Sequence, residues 1–284
     1  AKMKSNGVEI ALNTVNIKTK DFTWTTDLIY SHMHNEVTEL NTLNRMYDYI
    51  SGSGFTMPGY PQRSLFSIPF MGLNNEGLPT FLDQDGNVSV TGINMQEYDP
   101  ERLKFLKYEG PVDPTDVGSL GNVFRYKGVT LNLFITYSFG NVVRLDPVFS
   151  SSYSDLTATP KEFKDRWVKP GDENFTNVPV IASKQQLNNI AYLSTAYQAY
   201  NYSTERVAKG DFIRMKEISL GYEFPKSITQ PLRLSNLSLK LMATNLFLIY
   251  SDKKLNGQDP EFFNAGGVAN PMPKQFTLTL KLGI

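Results

Sequence analysis

The sequence predicts an all-β fold of the transmembrane antiparallel β-barrel type, and two observations support this. Several stretches alternate apolar and polar residues over about the length of a membrane-spanning strand, roughly 9–11 residues. The connections between these stretches are alternately short and long, as in a barrel with tight turns at one end and long loops at the other. A soluble β-sandwich also alternates, but packs its apolar face on a second sheet, and it stays open as an alternative.

The clearest alternation lies in the last seventy or so residues. Apolar residues occupy nearly every second position from Ile218 to Phe224, from Leu237 to Ile249 and from Phe276 to Ile284. The positions between them are mostly polar or charged, for example Glu217 and Lys240. Each stretch therefore has one apolar and one polar face, as a barrel wall with a wet interior requires.

Earlier parts of the chain contain two predicted hairpins. Their strands are Val8 to Ile17 with Phe22 to Met33, joined by Lys18 to Asp21, and Gly121 to Tyr126 with Val129 to Phe139, joined at Lys127-Gly128. Long, irregular connections are predicted from His34 to about Val117, Gly140 to about Asp211 and Ser251 to Pro273, with a medium one from Pro225 to Asn236. A short helix is expected from Pro160 to Trp167, since proline suits a first helical turn.

About seven strands result, and the alternation of short and long connections puts the carboxyl terminus on the short-turn side, which is periplasmic in outer-membrane barrels. Aromatic residues form two predicted rows, as membrane interfaces favour. The short-turn row is Phe22, Trp24, Tyr126, Tyr222 and Phe224, and the long-loop row is Tyr137, Phe139, Phe247, Tyr250 and Phe276.

Composition excludes several classes of function. The 284 residues carry 28 basic and 28 acidic side chains, so the formal net charge is zero and nothing attracts a nucleic acid. The absence of cysteine excludes disulfides, thiolate metal sites and cysteine catalysis within these residues. No apolar run reaches the roughly 18–20 residues of a membrane-spanning helix.

Local motifs resemble, in order, the carboxyl-terminal part of the SusC/RagA-type TonB-dependent outer-membrane transporters of Bacteroidetes. The motifs are Asn6-Gly7-Val8-Glu9 to Leu12 with Phe22-Thr23-Trp24, Tyr126-Lys127-Gly128 to Leu131, Trp167 with Pro170-Gly171-Asp172 and Pro179, Phe212-Ile213-Arg214 to Tyr222 with Pro225, Asn245-Leu246-Phe247, and Asp259-Pro260-Glu261. They cover nearly the whole chain. One departure is that the chain ends in Ile284, where such barrels commonly end in Phe.

The resemblance implies a barrel of about 22 strands filled by an amino-terminal plug. Residues 1–284 are then expected to form the carboxyl-terminal portion of the barrel, with the plug and earlier strands outside this chain. The chain begins Ala1-Lys2 without an initiator methionine, and we expect a fragment or one chain of a split protein.

The same resemblance implies a function. The family imports oligosaccharides or peptides across the outer membrane, together with a SusD-like lipoprotein lid and energy from the TonB complex. Outer-membrane lipid and the remaining barrel and plug are further expected partners. The alternative from another class is a soluble or surface-attached β-sandwich that binds glycan without transport. An outer-membrane enzyme would need its catalytic group outside these residues.

Candidate site residues are few, and we assign no catalytic, cofactor-binding or metal-binding residue. His32 and His34 share one strand face at a spacing that permits metal ligation, but polar residues at a loop mouth are the favoured interpretation. Asp83 to Asn87 resembles the start of a calcium loop, but Val88 stands where glycine is required, so a turn is expected.

Aromatic residues in the second long connection have two open interpretations. Trp167, Tyr192, Tyr197, Tyr200 and Tyr202 have flat amphipathic side chains that suit stacking on sugar rings, or packing against a partner lipoprotein. Because the sequence does not distinguish these roles, no substrate-binding residue is assigned.

Overall fold

The computed structural model describes residues 1–51, 54–149, 160–263 and 273–284. Its strands are β1 (Lys2–Lys18), β2 (Phe22–Glu39), β3 (Ser64–Ser67), β4 (Phe70–Leu73), β5 (Pro79–Leu82), β6 (Val88–Ser89), β7 (Lys107–Pro111), β8 (Asp116–Tyr126), β9 (Val129–Phe139), β10 (Val142–Arg144), β11 (Val207–Lys209), β12 (Phe212–Glu223), β13 (Asn236–Ser251) and β14 (Gln275–Gly283). Its α-helices are α1 (Met46–Ile50), α2 (Lys184–Asn189), α3 (Leu193–Asn201) and α4 (Lys226–Thr229). Short 3-10 helices span Arg102–Phe105, Lys161–Asp165, Asp172–Asn174, Thr204–Arg206, Lys253–Leu255 and Pro260–Phe262.

One seven-stranded antiparallel sheet dominates the fold, with the strand order β1-β2-β8-β9-β12-β13-β14. These are the seven strands that the sequence predicts, and each follows its predecessor across the sheet in chain order. Such an up-and-down arrangement is that of a barrel wall. Several strands are longer than predicted; β2 continues to Glu39, because the backbone pairing with β1 continues where the apolar alternation has ended.

Short turns close one end of the sheet. Between β1 and β2, the Thr19 N–H donates to the Phe22 carbonyl at 2.8 Å. Between β8 and β9, Lys127 and Gly128 have φ values of 45° and 86°, the left-handed pair that a two-residue type I′ turn requires. Both turns lie where the sequence predicts them.

The sheet has two chemically distinct faces, because paired residues point to the same side. We call the face with Leu12, Leu28, Leu120, Ile135 and Leu220 the apolar face. The opposite face, with Glu9, Asp27, Asn132, Glu217 and Lys240, is the polar face.

The apolar face is exposed even in the interior of the sheet. Leu220 of β12 and Leu241 of β13 are 51% and 52% exposed. A β-sandwich would cover these side chains with a second sheet, and an apolar surface of this extent is rare on soluble monomers. Nothing in the described ranges covers Leu220 or Leu241 in that way, so the membrane-barrel fold class is confirmed over the sandwich. Among the described residues, no helix is long and apolar enough to cross a membrane.

The aromatic rows are largely as predicted, with one correction. Phe22 and Tyr126 pair at the short-turn end, and Tyr137 lies near the opposite end of the same face. Phe276, however, pairs with Ala243 in the middle of the sheet, so its assignment to the long-loop row is wrong. The reason is that β14 begins only at Gln275, opposite the middle of β13.

The long connections fold into a compact unit, which is not the irregular structure expected from the sequence. We call the described residues of these connections, 40–51, 54–115, 140–149, 160–211 and 252–263, the loop cap. Buried residues from both of the longest connections form its main core, including Ile50, Phe66, Phe81, Leu193 and Tyr200. The predicted short helix is present as the 3-10 helix Lys161–Asp165.

A buried arginine joins the segments of the loop cap. Arg144 of β10 donates to the carbonyls of Ile50, Phe66 and Ser203 at 3.2, 2.7 and 2.9 Å, and to the Ser67 hydroxyl at 3.1 Å. Burial lowers the pKa of the Arg144 guanidinium to about 10. The cation is therefore held by neutral acceptors from both long connections.

Candidate functional site

A pocket lies where the loop cap meets the polar face of the sheet. Its volume is about 450 Å³. Its lining consists of Arg63, Val112, Asp113, Pro114, Ser138, Asn141, Val143, Gly210, Phe212, Pro260, Glu261 and Phe263. Pockets between a rigid scaffold and its loops are the usual place for ligand binding.

Two paired strand residues form the base of the pocket. Ser138 of β9 and Phe212 of β12 are direct neighbours and both point to the polar face. Period-two alternation in the two strands places them there, since their apolar neighbours Tyr137 and Ile213 point to the apolar face. Ser138 is 9% exposed, so its hydroxyl faces the pocket from a largely buried position.

An ion cluster lies beside the pocket and supplies Glu261 to its lining. The Arg214 guanidinium contacts the Asp259 carboxylate at 2.5 Å and the Glu261 carboxylate at 3.2 Å. Arg214 and Asp259 are each 7% exposed, whereas Glu261 is 41% exposed. The Asp259 side chain also accepts from the Glu261 N–H, because Pro260 begins a 3-10 turn there. This cluster joins two of the motifs seen in the sequence, which lie 45 residues apart.

A second ion pair lies at another part of the lining. The Arg63 guanidinium contacts the Asp113 carboxylate at 2.5 Å, and both side chains are about half exposed. Together, the lining and the ion cluster contain three carboxylates and two guanidiniums, from Asp113, Asp259, Glu261, Arg63 and Arg214. The pocket therefore carries an excess of one negative charge.

Asn141 projects its amide between the loop cap and the top of β9. Its Nδ2 donates to the Val112 carbonyl at 3.3 Å, and its backbone carbonyl accepts from the Gly210 N–H at 2.9 Å. A Cβ at Gly210 would lie 2.2 Å from the Asn141 amide nitrogen, so glycine makes this placement possible. Within the described part of the chain, the buried Asn141 Oδ1 has no hydrogen-bond donor.

The two histidines lie away from the pocket. The His32 Nδ1 is 2.9 Å from the Asp116 carboxylate, which also accepts from the Tyr30 hydroxyl at 2.7 Å. His32 and His34 share one face, as predicted, but they lie inside β2 and not at a loop mouth, because β2 continues to Glu39. In the described ranges, no group of three or more acidic or histidine side chains could hold a metal ion.

The calcium-like segment is a turn, as expected. The Asp83 Oδ1 accepts from the N–H groups of Asp85 and Asn87 at 3.0 and 2.9 Å. Its other carboxylate oxygen accepts from the Ser89 hydroxyl at 3.3 Å. These bonds stabilise a tight turn around Gly86, whose φ is 80°.

Most of the aromatic candidates are unavailable to a ligand or a partner. Tyr197 and Tyr200 are 8% and 0% exposed, and both belong to the main core of the loop cap. Tyr202 is only partly buried, but it packs against that core. Tyr192 is 73% exposed. The stacking and docking interpretations are therefore wrong for Tyr197 and Tyr200, because helix α3 turns them toward the interior.

Trp167 also has a structural role. Its indole N–H donates to the Glu173 carboxylate at 2.9 Å, and this bond lowers the pKa of that carboxyl group. The Asp172 carboxylate accepts from the N–H of Lys169, so the Trp-to-Asp motif encodes a closed loop. A Cβ at Gly77 would lie 2.4 Å from the indole, so Gly77 allows close packing on one face of the ring.

Comparisons with known proteins point to one family. The chain is 26% identical to TonB-dependent receptor P39 of Formosa agariphila over 95% of its own length and 28% of that protein. It is 25% identical to TonB-dependent receptor SusC of Bacteroides thetaiotaomicron over 99% of its length and 26% of that protein. The structure of the RagAB peptide transporter aligns with 99% of this chain and 29% of that one, at a TM-score of 0.70 and 22% identity.

Over nearly its whole length, this chain is similar to TonB-dependent receptors, SusC among them. It spans between a quarter and three tenths of the length of these relatives. At 22% identity, the likeness to RagAB shows the fold alone. The names of the relatives are those of receptors and transporters, not enzymes. No family model matches the sequence.

Proposed function

We propose that this chain belongs to the SusC/RagA family and forms part of the wall of a TonB-dependent outer-membrane importer, with residues 1–284 as the carboxyl-terminal portion of its barrel. The apolar face contacts lipid and the polar face lines the lumen. The loop cap is extracellular, and the carboxyl terminus is periplasmic. The observation that carries this proposal is the exposed apolar face of an antiparallel sheet whose loops fold onto the other face.

The cargo is an oligosaccharide or a peptide, and it contacts the pocket between the loop cap and the polar face. A SusD-like lipoprotein covers the extracellular side, and the TonB complex acts through parts of the protein outside this chain. The names of the relatives support the dependence on TonB. The position of the pocket on the luminal face supports its contact with cargo.

Extraction from native outer membranes in mild detergent tests the assembly. We expect the polypeptide to appear in the membrane fraction and to co-purify with the remaining barrel and plug and with a lipoprotein, which intact-mass measurement identifies. Recovery of a folded 32.0 kDa monomer from the aqueous fraction would instead favour a glycan-binding domain without transport.

Cysteine labelling tests the orientation, since these residues contain no cysteine of their own. Phe175 in the loop cap is 91% exposed, and Lys127 lies at a short turn. A membrane-impermeant maleimide should label Phe175→Cys on intact cells, and Lys127→Cys only after the outer membrane is opened. The reverse pattern would show that the loop cap is periplasmic and would refute the proposed orientation.

A further inference from the structure

We infer that the pocket accepts a positively charged amino group of a peptide cargo, either its amino terminus or a lysine side chain. The inference rests on the proposed import function, which leaves oligosaccharide and peptide open. Three properties of the pocket support this inference: the charge of its lining, its hydrogen-bond acceptors and the limited availability of its aromatic rings for stacking.

The first property is the charge of the lining. The Arg63 guanidinium is 2.5 Å from the Asp113 carboxylate, so this cation is already neutralised within the pocket. Arg214 is shared by two carboxylates, and the one from Asp259 is as buried as the guanidinium itself. The charge in excess is that of Glu261, the more exposed partner. A cationic group is therefore favoured, and an acidic polysaccharide is disfavoured.

The second property is the supply of hydrogen-bond acceptors. An ammonium group has three N–H donors and no acceptor. The Asn141 Oδ1 is buried and, in the ranges that the structure describes, receives no donor. The Ser138 hydroxyl and the Glu261 carboxylate supply further acceptors from the same lining. The Asn141 oxygen is closed to solvent, so the Glu261 carboxylate, whose side chain is 41% exposed, is the acceptor most open to an ammonium group in the pocket.

The third property concerns sugar binding. Neutral oligosaccharides favour exposed aromatic faces, and two aromatic residues line the pocket, Phe212 and Phe263. The Arg214 guanidinium lies over the Phe212 ring at 5.5 Å. Phe263 packs against the buried cluster that contains Val143 and Leu255. The aliphatic and aromatic surface that remains suits the side chains of a peptide better than a sugar ring.

Acetylation tests the amino group directly. The full-length protein is purified in detergent together with the chains that co-purify with it. It is then incubated with a tryptic digest of casein, and the peptides of this digest are either untreated or acetylated at their amino groups. Retained peptides are measured by mass spectrometry. We expect retention of the untreated digest and at least about a 10-fold loss of affinity on acetylation, as for a hydrogen-bonded charge. This measurement uses the unaltered protein, so it does not depend on the folding of any variant.

Two variants test whether the carboxylates of the pocket are responsible for the retention of peptides with free amino groups. The double variant Asp113→Asn with Glu261→Gln keeps the shape of the pocket and removes two carboxylates, and we expect about 10- to 100-fold weaker retention. The matched control is Glu205→Gln, which removes a partly exposed carboxylate 4.0 Å from Lys254 outside the pocket lining. Retention should be unchanged in the control.

The outcomes separate this inference from the proposed function. Equal retention of acetylated and untreated digests, or a double variant that matches the control, would overturn the amino-group site. Retention of maltohexaose without peptide would overturn the choice of cargo. Neither result bears on the importer proposal. That proposal is refuted by recovery of a folded monomer from the aqueous fraction, or by the reverse labelling pattern.

Discussion

Replacement of Arg144 by methionine tests whether the long connections form one cooperative unit. Methionine has similar bulk and no donor, so Arg144→Met removes four hydrogen bonds. Hydrogen bonds to charged groups contribute roughly 1.5–3 kcal/mol each, or about 6–12 kcal/mol together. Burial lowers the pKa of the guanidinium to about 10, so the buried cation carries a desolvation cost of its own. We expect a net loss of at least about 3 kcal/mol in the free energy of opening of the loop cap, because the neutral acceptors around Arg144 lose their buried donors.

Hydrogen exchange in the full-length protein measures that free energy locally. Suitable probes are the N–H of Leu145, which donates to the Arg206 carbonyl, and that of Ile68, which donates to the Tyr202 carbonyl. At about 1.4 kcal/mol per factor of ten, their exchange should accelerate by about 10²-fold or more. Arg102→Met is the matched control, because that side chain is 44% exposed and its ion pairs contribute little. Exchange that rises equally in both variants would refute the assigned role of Arg144.

Two further predictions concern the ion cluster beside the pocket and the packing of the sheet. Arg214→Met leaves the buried Asp259 carboxylate without its cation and should destabilise residues 252–263 by about 3–5 kcal/mol, seen as faster proteolysis within them. Lys254→Met should have little effect, because its ion pair is partly exposed. Gly118→Ala places a Cβ 2.2 Å from a facing backbone carbonyl and should lower the unfolding temperature of the full-length barrel, at a cost of about 1–3 kcal/mol. Gly121→Ala is its control, since its nearest neighbour lies at 3.6 Å, and equal unfolding temperatures for the two variants would contradict the packing argument.

The strands could be predicted because their signal is local. Alternation such as that from Val129 to Phe139 specifies both the extended backbone and the face of each side chain. The ends of β2 and β14 were less predictable, because backbone pairing does not require apolar residues. Thus β2 continues through His34 to Glu39, and β14 begins late and leaves Phe276 at mid-sheet.

The pocket could be predicted only in part. Arg214 and Asp259 belong to motifs visible in the sequence, yet nothing in their spacing indicates that the two side chains meet. The burial of Tyr197 and Tyr200 was missed for a related reason. Their three-residue spacing does place them on one face of α3, but whether that face contacts solvent or a core depends on distant segments.

The sequence by itself determined the seven strands, their two faces and their tight turns, because extended backbone and turns depend on neighbouring residues. Only the tertiary structure decided how the long connections fold. Arg144 reaches acceptors from residues 50 to 203, and Arg214 reaches a carboxylate 45 residues away. Contacts of this kind depend on the closure of long loops over the sheet, and the order of residues along the chain does not encode which distant partners will then lie within reach.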